Sequence, residues 1–328
     1  MNKPYYHPIT FSLALFAYPL LYANYTEDEE INKRLFVQQG LYRVKGWCLV
    51  DYQGKNCSGE ILKINDQDDT FIVKIIDTTI PVKNWEKLKV PIRSVKSHLH
   101  KNTQSSEALF KCLKKMSILR TPAIENAFVA IDRSWFCPTH PFSDSSIKIE
   151  CDQCICSPSM HIFYLEMLKD IFPRAKAILD VGSGSGYLTA SLAYLSPKAK
   201  VVGIDYYETL VEKSRKTCTD HLSEDLNDRL LLLAGPGSQG YMQQAPYDII
   251  CVDYMCKEVP EELIKQLAPN GRMLIPLANR KCSYDTNLVG GDLWVLEKNN
   301  KGKVSKHRAF SCSFVIDQEE KIELANFK

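Results

Sequence analysis

The sequence predicts an α/β protein: a doubly wound, mostly parallel sheet preceded by a small β-rich module. From residue 131 to residue 314, short apolar runs alternate with stretches of helical period, the order expected of strand–helix–strand units. Upstream, between residues 36 and 98, several short runs instead alternate apolar with polar side chains, the period of half-buried strands. A chain of 328 residues is also long enough for two domains, each with its own core. The divisions that follow are residues 1–30, an apolar N-terminal segment; 31–104, a small β-barrel-like module; and 105–328, the α/β domain.

The N-terminal segment carries an apolar run from Ile9 to Ala23, broken by Pro19 and followed by the acidic stretch Glu27 to Glu30. It is short and interrupted for a membrane span. Its length fits the apolar region of a signal peptide, although Leu21 and Ala23 make a poor cleavage site. Glycosylation sequons at Asn24 and Asn56 are compatible with secretion. Signal, membrane anchor and docking tail are the alternatives the segment leaves, so the compartment is undecided.

The module reads as about five short strands. Alternation runs through Trp47–Tyr52, Gly59–Ile64 and Thr70–Ile76, with a further short strand at Leu88–Ile92 and turns supplied by Gly54 and by Asn65–Asp69. Such a pattern suggests a barrel of SH3 or Tudor type. Trp47 and Tyr52 are expected in its core, and no ligand is assigned to it. The polar stretch Ser97–Glu107 is the expected linker.

Two helices open the third region, one carrying Leu109, Leu113 and Met116 at helical spacing and one over 121–131. Candidate strands then fall at 177–181, 200–204, 229–233, 247–252 and 272–276, and candidate helices at 159–171, 186–195, 207–218 and 260–267. Runs at 291–297 and 308–316 should close the sheet as antiparallel edge strands. The organising element is the junction at Asp180-Val-Gly182-Ser183-Gly184-Ser-Gly186: a buried strand, a glycine turn and a helix N-terminus in succession. Bare backbone at such a turn lets a ligand approach closely, and the helix dipole favours an anionic group at its mouth. A second run ends in Asp205, where an acid can grip ribose hydroxyls. Together these residues favour a nucleotide-like cofactor.

Composition narrows the partners. A formal net charge of +2 gives no reason to expect a nucleic acid or an anionic membrane. The twelve cysteines do not look like a disulfide framework in a chain of this length, and Cys112 and Cys251 lie in apolar patterns where thiols behave as small hydrophobes. Cys137, Cys151, Cys154 and Cys156 cluster in sequence, with a CxxC at 151–154, but a second pair is missing and no metal is assigned.

Residues 105–318 resemble protein-L-isoaspartate O-methyltransferases, which have the Rossmann-like fold of class I S-adenosylmethionine-dependent methyltransferases. The matching stretches are Ala127–Phe136 around the Asp132-Arg133 pair, Cys154-Ile-Cys-Ser-Pro-Ser-Met-His161, the glycine turn, Gly203-Ile-Asp205, Ala245-Pro-Tyr-Asp248 and Gln266–Pro276. They fall in the family's order. The first hundred residues lie outside the resemblance.

The resemblance implies methyl transfer from S-adenosylmethionine to the α-carboxylate of isoaspartyl residues in damaged proteins, and by analogy a cytoplasmic location. A carboxylate is already ionised at neutral pH and a sulfonium is an excellent leaving group, so catalysis is mainly alignment and desolvation. On this resemblance Gly182, Ser183, Gly184 and Gly186 lie against the methionine part of the cofactor, and Asp180 fixes the turn or meets the amino group. Asp205, with Tyr206 beside it, serves the ribose, Gly237 lies at the adenine end and His161 stands near the cofactor.

Four departures fall on the pocket. Cys156 occupies the position of the serine that bonds the substrate carboxylate, with Cys154 replacing a threonine; a thiol is a much weaker donor. Loss of such a charge-assisted bond costs about 1.5–3 kcal/mol, or about 10- to 100-fold. Pro236 removes both an acid and a backbone N–H from Gly235-Pro-Gly237. Val252-Asp-Tyr-Met-Cys256 is bulkier and more charged than the family's small-residue segment, and Val315-Ile-Asp317 lacks a threonine. The alternative these departures raise is a pseudoenzyme, its cofactor lost, serving as a structural subunit through residues 1–104.

Overall fold

The computed structural model describes residues 47–52, 55–65, 70–76, 87–91, 95–97, 103, 105–278 and 288–316. The apolar run 9–23, the sequon at Asn24 and Asp317 lie outside the described residues, as do the side chains of Trp47 and Tyr52.

Five antiparallel strands come first: β1 (Trp47–Tyr52), β2 (Lys55–Asn65), β3 (Thr70–Ile75), β4 (Lys87–Pro91) and β5 (Val95–Ser97), in the spatial order β4-β3-β2-β1-β5. The second strand begins earlier than the alternation at Gly59 suggests, because Tyr52 pairs directly with Lys55 across a tight hairpin. Phe71, Val73 and Ile75 alternate inward with Ile61 opposite Val73, and all four are buried. That is the period-two pattern the sequence predicts for this strand.

Next come α1 (Ser106–Lys115) and α2 (Pro122–Ala130). Ser105 caps the first, its Oγ accepting from the Ala108 N–H at 3.2 Å, and Pro122 starts the second, where a missing N–H costs nothing. The backbone N–H groups of Arg120 and Thr121 donate to the buried Glu166 carboxylate at 2.9 and 2.8 Å. Glu166 also takes the Thr121 hydroxyl and the Lys169 ammonium, so its charge is fully satisfied inside the core. A two-stranded ribbon, β6 (Ile147–Lys148) with β7 (Cys154–Ile155), leads into α3 (Pro158–Leu168). This helix is buried on almost every face. It stops at Leu168, short of residue 171, because the chain turns there and Ile171 N bonds the Leu168 carbonyl.

The main sheet follows the expected alternation: β8 (Ala177–Val181), α4 (Tyr187–Leu195), β9 (Lys200–Asp205), α5 (Glu208–His221), α6 (Glu224–Asn227), β10 (Leu230–Ala234), β11 (Tyr247–Val252), α7 (Glu261–Gln266), β12 (Leu267–Ala278), β13 (Leu288–Lys298) and β14 (Val304–Val315). Its order is β10-β9-β8-β11-β12-β13-β14, with β8 to β12 parallel and the last two strands antiparallel. The fold is therefore the doubly wound, mostly parallel sheet with antiparallel edge strands. One difference concerns β12, which begins at Leu267 rather than 272 because Tyr247 already pairs with Leu267 before the register shifts. Strand order reverses between β8 and β11, and ligands bind parallel sheets at the carboxyl ends of strands beside such a reversal. Those ends are the glycine turn after Val181 and Asp253 after Val252.

The small sheet docks on the outermost strand of the large one. Arg308 of β14 donates to both oxygens of Glu60 on β2, at 2.9 and 2.7 Å, and to Asp292 of β13 at 2.9 Å. Lys74 of β3 donates to the Arg308 and Ala309 carbonyls at 2.8 and 2.7 Å. The Glu60 side chain is wholly buried, so this contact depends on its partners. Among the described residues, no helix is long and apolar enough to cross a membrane.

Candidate active site

A cleft of about 530 Å³ of empty space opens where β8, β9 and β11 end. Its walls include Gly182, Gly184, Asp205, Tyr206, Gly237, Asp253 and Tyr254. The glycine turn is wound as its composition requires: Gly182, Gly184 and Gly186 all have positive φ, at 83°, 52° and 88°. Close approach matters as much as φ at Gly237. A Cβ there would stand 2.6 Å from the Tyr254 hydroxyl oxygen and 2.7 Å from a Val181 methyl carbon. The Tyr254 ring thus bridges the two glycine segments, its Cδ1 3.0 Å from where a Cβ on Gly182 would sit.

Asp205 fastens the turn. Its Oδ2 accepts from the Gly184 N–H at 2.8 Å and its Oδ1 from the Tyr207 N–H at 3.0 Å, which leaves lone pairs facing the cleft. Burial raises its carboxyl above the usual carboxylate range against the pull of those backbone donors. Asp180 lies behind the turn, wholly buried and away from the cleft wall. Its Oδ2 accepts from the Thr189 hydroxyl at 2.5 Å, while its buried Oδ1 has no hydrogen-bond partner among the described residues. Burial first, and then the neighbouring Asp205 charge, push its carboxyl upward, opposed by the Thr189 bond. Asp253 is raised far above the usual range by burial and by Asp180. No lysine or arginine is among the described residues that line this cleft.

A second group of polar residues adjoins the Asp253 side. The Cys156 Sγ, a ring nitrogen of His161 and a carboxylate oxygen of Asp253 lie within 4.8 Å of one another. Arg133, almost wholly buried, organises the group: its Nη2 donates to the Cys156 carbonyl at 2.6 Å and its Nη1 lies 3.3 Å from His161 Nδ1. Burial and the Arg133 charge hold the imidazole neutral, and burial together with Asp253 holds the Cys156 thiol protonated. Cys156 is therefore no thiolate nucleophile.

Of the residues expected from the sequence, Gly182, Gly184, Asp205, Tyr206 and Gly237 line the cleft. Gly186 and Ser183 sit behind the turn, the Ser183 hydroxyl buried without a partner among the described residues. Cys156 and His161 gather beside Asp253 rather than on the wall itself. Pro236 is exposed and outside the cleft lining. Cys151 and Cys154 do not join a group of metal-binding side chains among the described residues; the Cys151 Sγ lies 3.2 Å from the Thr209 hydroxyl. The sequence places Asp253 and Tyr254 on the pocket as a departure from the family and Arg133 in a matching stretch, but assigns none of the three a role in the site. Position signals the first two, since they follow β11 at the strand reversal, and the Asp132-Arg133 motif of the matching stretch signals the third.

The family model described as protein-L-isoaspartate(D-aspartate) O-methyltransferase matches residues 104–321. The chain belongs to this family. A protein-L-isoaspartate O-methyltransferase of Triticum aestivum is 34% identical over 217 residues, covering 65% of this chain and 90% of its own. That of Caenorhabditis elegans is 35% identical over 175 residues, covering 53% of this chain and 78% of its own. A solved structure of a protein-L-isoaspartate O-methyltransferase from Plasmodium falciparum, in complex with S-adenosyl-L-homocysteine, shares the fold with a TM-score of 0.58. It is 24% identical and covers 66% of this chain and 99% of its own. The family match begins at residue 104, so β1 to β5 lie outside it.

Proposed function

We propose that this family member binds S-adenosylmethionine in the cleft and methylates the α-carboxylate of isoaspartyl residues in proteins or peptides. The observation that carries the cofactor class is the charge of the site. Asp205 and Asp253 line the cleft and Asp180 stands behind its glycine turn, while no lysine or arginine lines it among the described residues, so an ionised Asp205 meets no side-chain cation on the wall. Such a site repels the phosphates of a dinucleotide and favours a cation bearing ribose hydroxyls. The unpartnered Asp180 Oδ1 and the bare backbone of the glycine turn fit that ligand as well.

When bound, S-adenosylmethionine supplies an electrophilic methyl group on a good leaving group. The chain's residues supply position. Asp205, aided by Tyr206 at the mouth, accepts from the ribose hydroxyls; Gly182, Ser183, Gly184 and Gly186 present backbone to the methionine part. Asp180 offers its free oxygen toward the amino group. Gly237 leaves room for the adenosine, with the Tyr254 ring as one wall. Arg133 holds the Cys156 carbonyl and the His161 ring, so the acceptor side keeps its shape during turnover. Neutral His161 and protonated Cys156 take no proton from an acceptor that has none to give.

We take residues 105–328 as the catalytic unit and 31–104 as a module docked through Glu60 and Lys74. A role as a structural subunit alone draws no support from the cleft or from the relatives. The test is methyl transfer from labelled S-adenosylmethionine to an isoaspartyl peptide and to its aspartyl twin. Transfer to the first and not the second is expected. Equal labelling of both, or of neither, refutes the acceptor.

A further inference from the structure

Cys156, His161 and Asp253 form a group that could be mistaken for a metal site. The hydrogen bonding argues otherwise. A guanidinium can only donate, so Arg133 Nη1, 3.3 Å from His161 Nδ1, makes that nitrogen the acceptor. The imidazole proton then sits on Nε2, and the ring has no second lone pair for a cation. The Cys156 thiol is a weak donor for a carboxylate acceptor, and beside the His161 Nε2–H the group can offer a second strong donor only if Asp253 is protonated.

Asp253 is the side chain able to fill that need. Its backbone N–H is tied to the Val181 carbonyl at 2.8 Å, which fixes it at the end of β11, and its side chain lines the cleft. No N–H or O–H among the described residues donates to its carboxyl. The groups facing it are Asp180 from β8, Cys251 from β11, Tyr164 and His161 from α3, and Cys156 from the loop before that helix. Tyr164 spends its hydroxyl on the Val252 carbonyl at 3.0 Å, and Arg133 spends two nitrogens on Cys156 and His161. A half-buried carboxyl with no donor among the described residues and with a second carboxyl beside it holds its proton more tightly than a free aspartate. With Asp180 ionised beside a cationic cofactor, the proton of the pair rests on Asp253.

We propose that Asp253 carries its proton in the working enzyme and donates it, as a hydrogen bond, to the carboxylate of the methyl acceptor. The proposal rests on the isoaspartyl reading of the site. One acceptor oxygen takes the Asp253 O–H while the other attacks; the O–CH3 bond forms, the S–CH3 bond breaks and its electron pair goes to sulfur. No proton changes owner, and Asp253 leaves the cycle as it entered. A neutral carboxylic acid acting as a hydrogen-bond donor at neutral pH is chemically sound in an apolar setting. The arriving negative charge strengthens its hold on the proton.

The test separates this from the activity itself. In the full chain with S-adenosylhomocysteine bound, infrared difference spectra of wild type against Asp253→Asn should show the C=O band of a protonated carboxyl at neutral pH. Adding isoaspartyl peptide to this unreactive complex should shift that band. In turnover, wild-type kcat/KM should fall as pH rises through the Asp253 titration, about tenfold per unit. Asp253→Asn, which keeps a donor, should be flat with pH and within about tenfold of the acid plateau. Asp253→Ala should be flat and a further tenfold lower, chiefly through KM. An absent band, a band the peptide does not move, or an Asp253→Ala enzyme equal to wild type overturns the proposal. Failure to methylate any peptide while the band is present and shifts refutes turnover on that acceptor, and leaves the donor role standing.

Discussion

Asp205→Ala tests the cleft at the residue that both builds it and, on the proposed function, grips the ligand. The carboxylate accepts two backbone N–H bonds, from Gly184 at 2.8 Å and Tyr207 at 3.0 Å. Net bonds to a charged acceptor are worth about 1.5–3 kcal/mol each, and water entering the open cleft recovers part of that. The folded chain should therefore lose about 2–4 kcal/mol, seen as a fall in Tm of roughly 2–4 °C per kcal/mol for a domain of this size. The cofactor should lose more than the chain does, since the ribose contact disappears and the Gly184 turn loses its anchor. One charge-assisted bond alone is about 10- to 100-fold in affinity, so a weakening of at least about 100-fold is expected from the two effects together. Calorimetric titration with S-adenosylhomocysteine and thermal unfolding of the same preparations check both numbers. A variant that binds within threefold of wild type would falsify the role given to Asp205.

Three further perturbations probe other parts of the structure. Gly237→Ala puts a Cβ within 2.7 Å of both Tyr254 and Val181, so the ring must be driven into the cleft; S-adenosylhomocysteine affinity should drop at least about tenfold with little change in Tm, and unchanged affinity would remove Gly237 from the site. Arg308→Met strands the wholly buried Glu60 carboxylate and should cost about 3–5 kcal/mol in denaturant unfolding, whereas a cost below 1 kcal/mol would mean that the two sheets are held by other contacts. Lys74 is lowered from 10.5 to about 8, chiefly by burial and next by the Arg308 charge. Between those pH values the unfolded chain binds more protons than the folded one, so stability should climb as pH rises from about 8 to 10.5, by up to about 1.4 kcal/mol per unit. The climb should be smaller in Lys74→Met, and identical slopes would contradict the assignment.

Local chemistry made most of this fold legible. The run Ala177–Val181 was readable as a buried strand because every residue from Ile178 to Val181 faces packed protein, and the glycine turn because three positive φ angles permit few other residues. The antiparallel edge strands were legible for the same reason, with Val289, Leu293 and Val295 buried along the first and Phe310 and Phe314 along the second. What was not legible is long-range. Arg308 meets Glu60 across 248 residues, and nothing in either neighbourhood announces the pair. Asp253 was readable as an unusual charge after a strand, but its nearness to Cys156 and His161 depends on how α3 crosses the end of β11. Asp180 shows the converse. Its place before the turn marked it for the ligand, yet burial behind the turn makes it a support for Thr189 with one oxygen to spare.

The claim on which the rest depends is that this cleft, with Tyr254 bridging its glycines and Pro236 outside it, still holds the cofactor. The most direct measurement is a calorimetric titration of the purified full-length chain with S-adenosylhomocysteine, which occupies such a site without reacting. The account predicts one site per chain with micromolar affinity, lost in Asp205→Ala. Absence of heat up to millimolar ligand, from a chain that unfolds cooperatively, would contradict it.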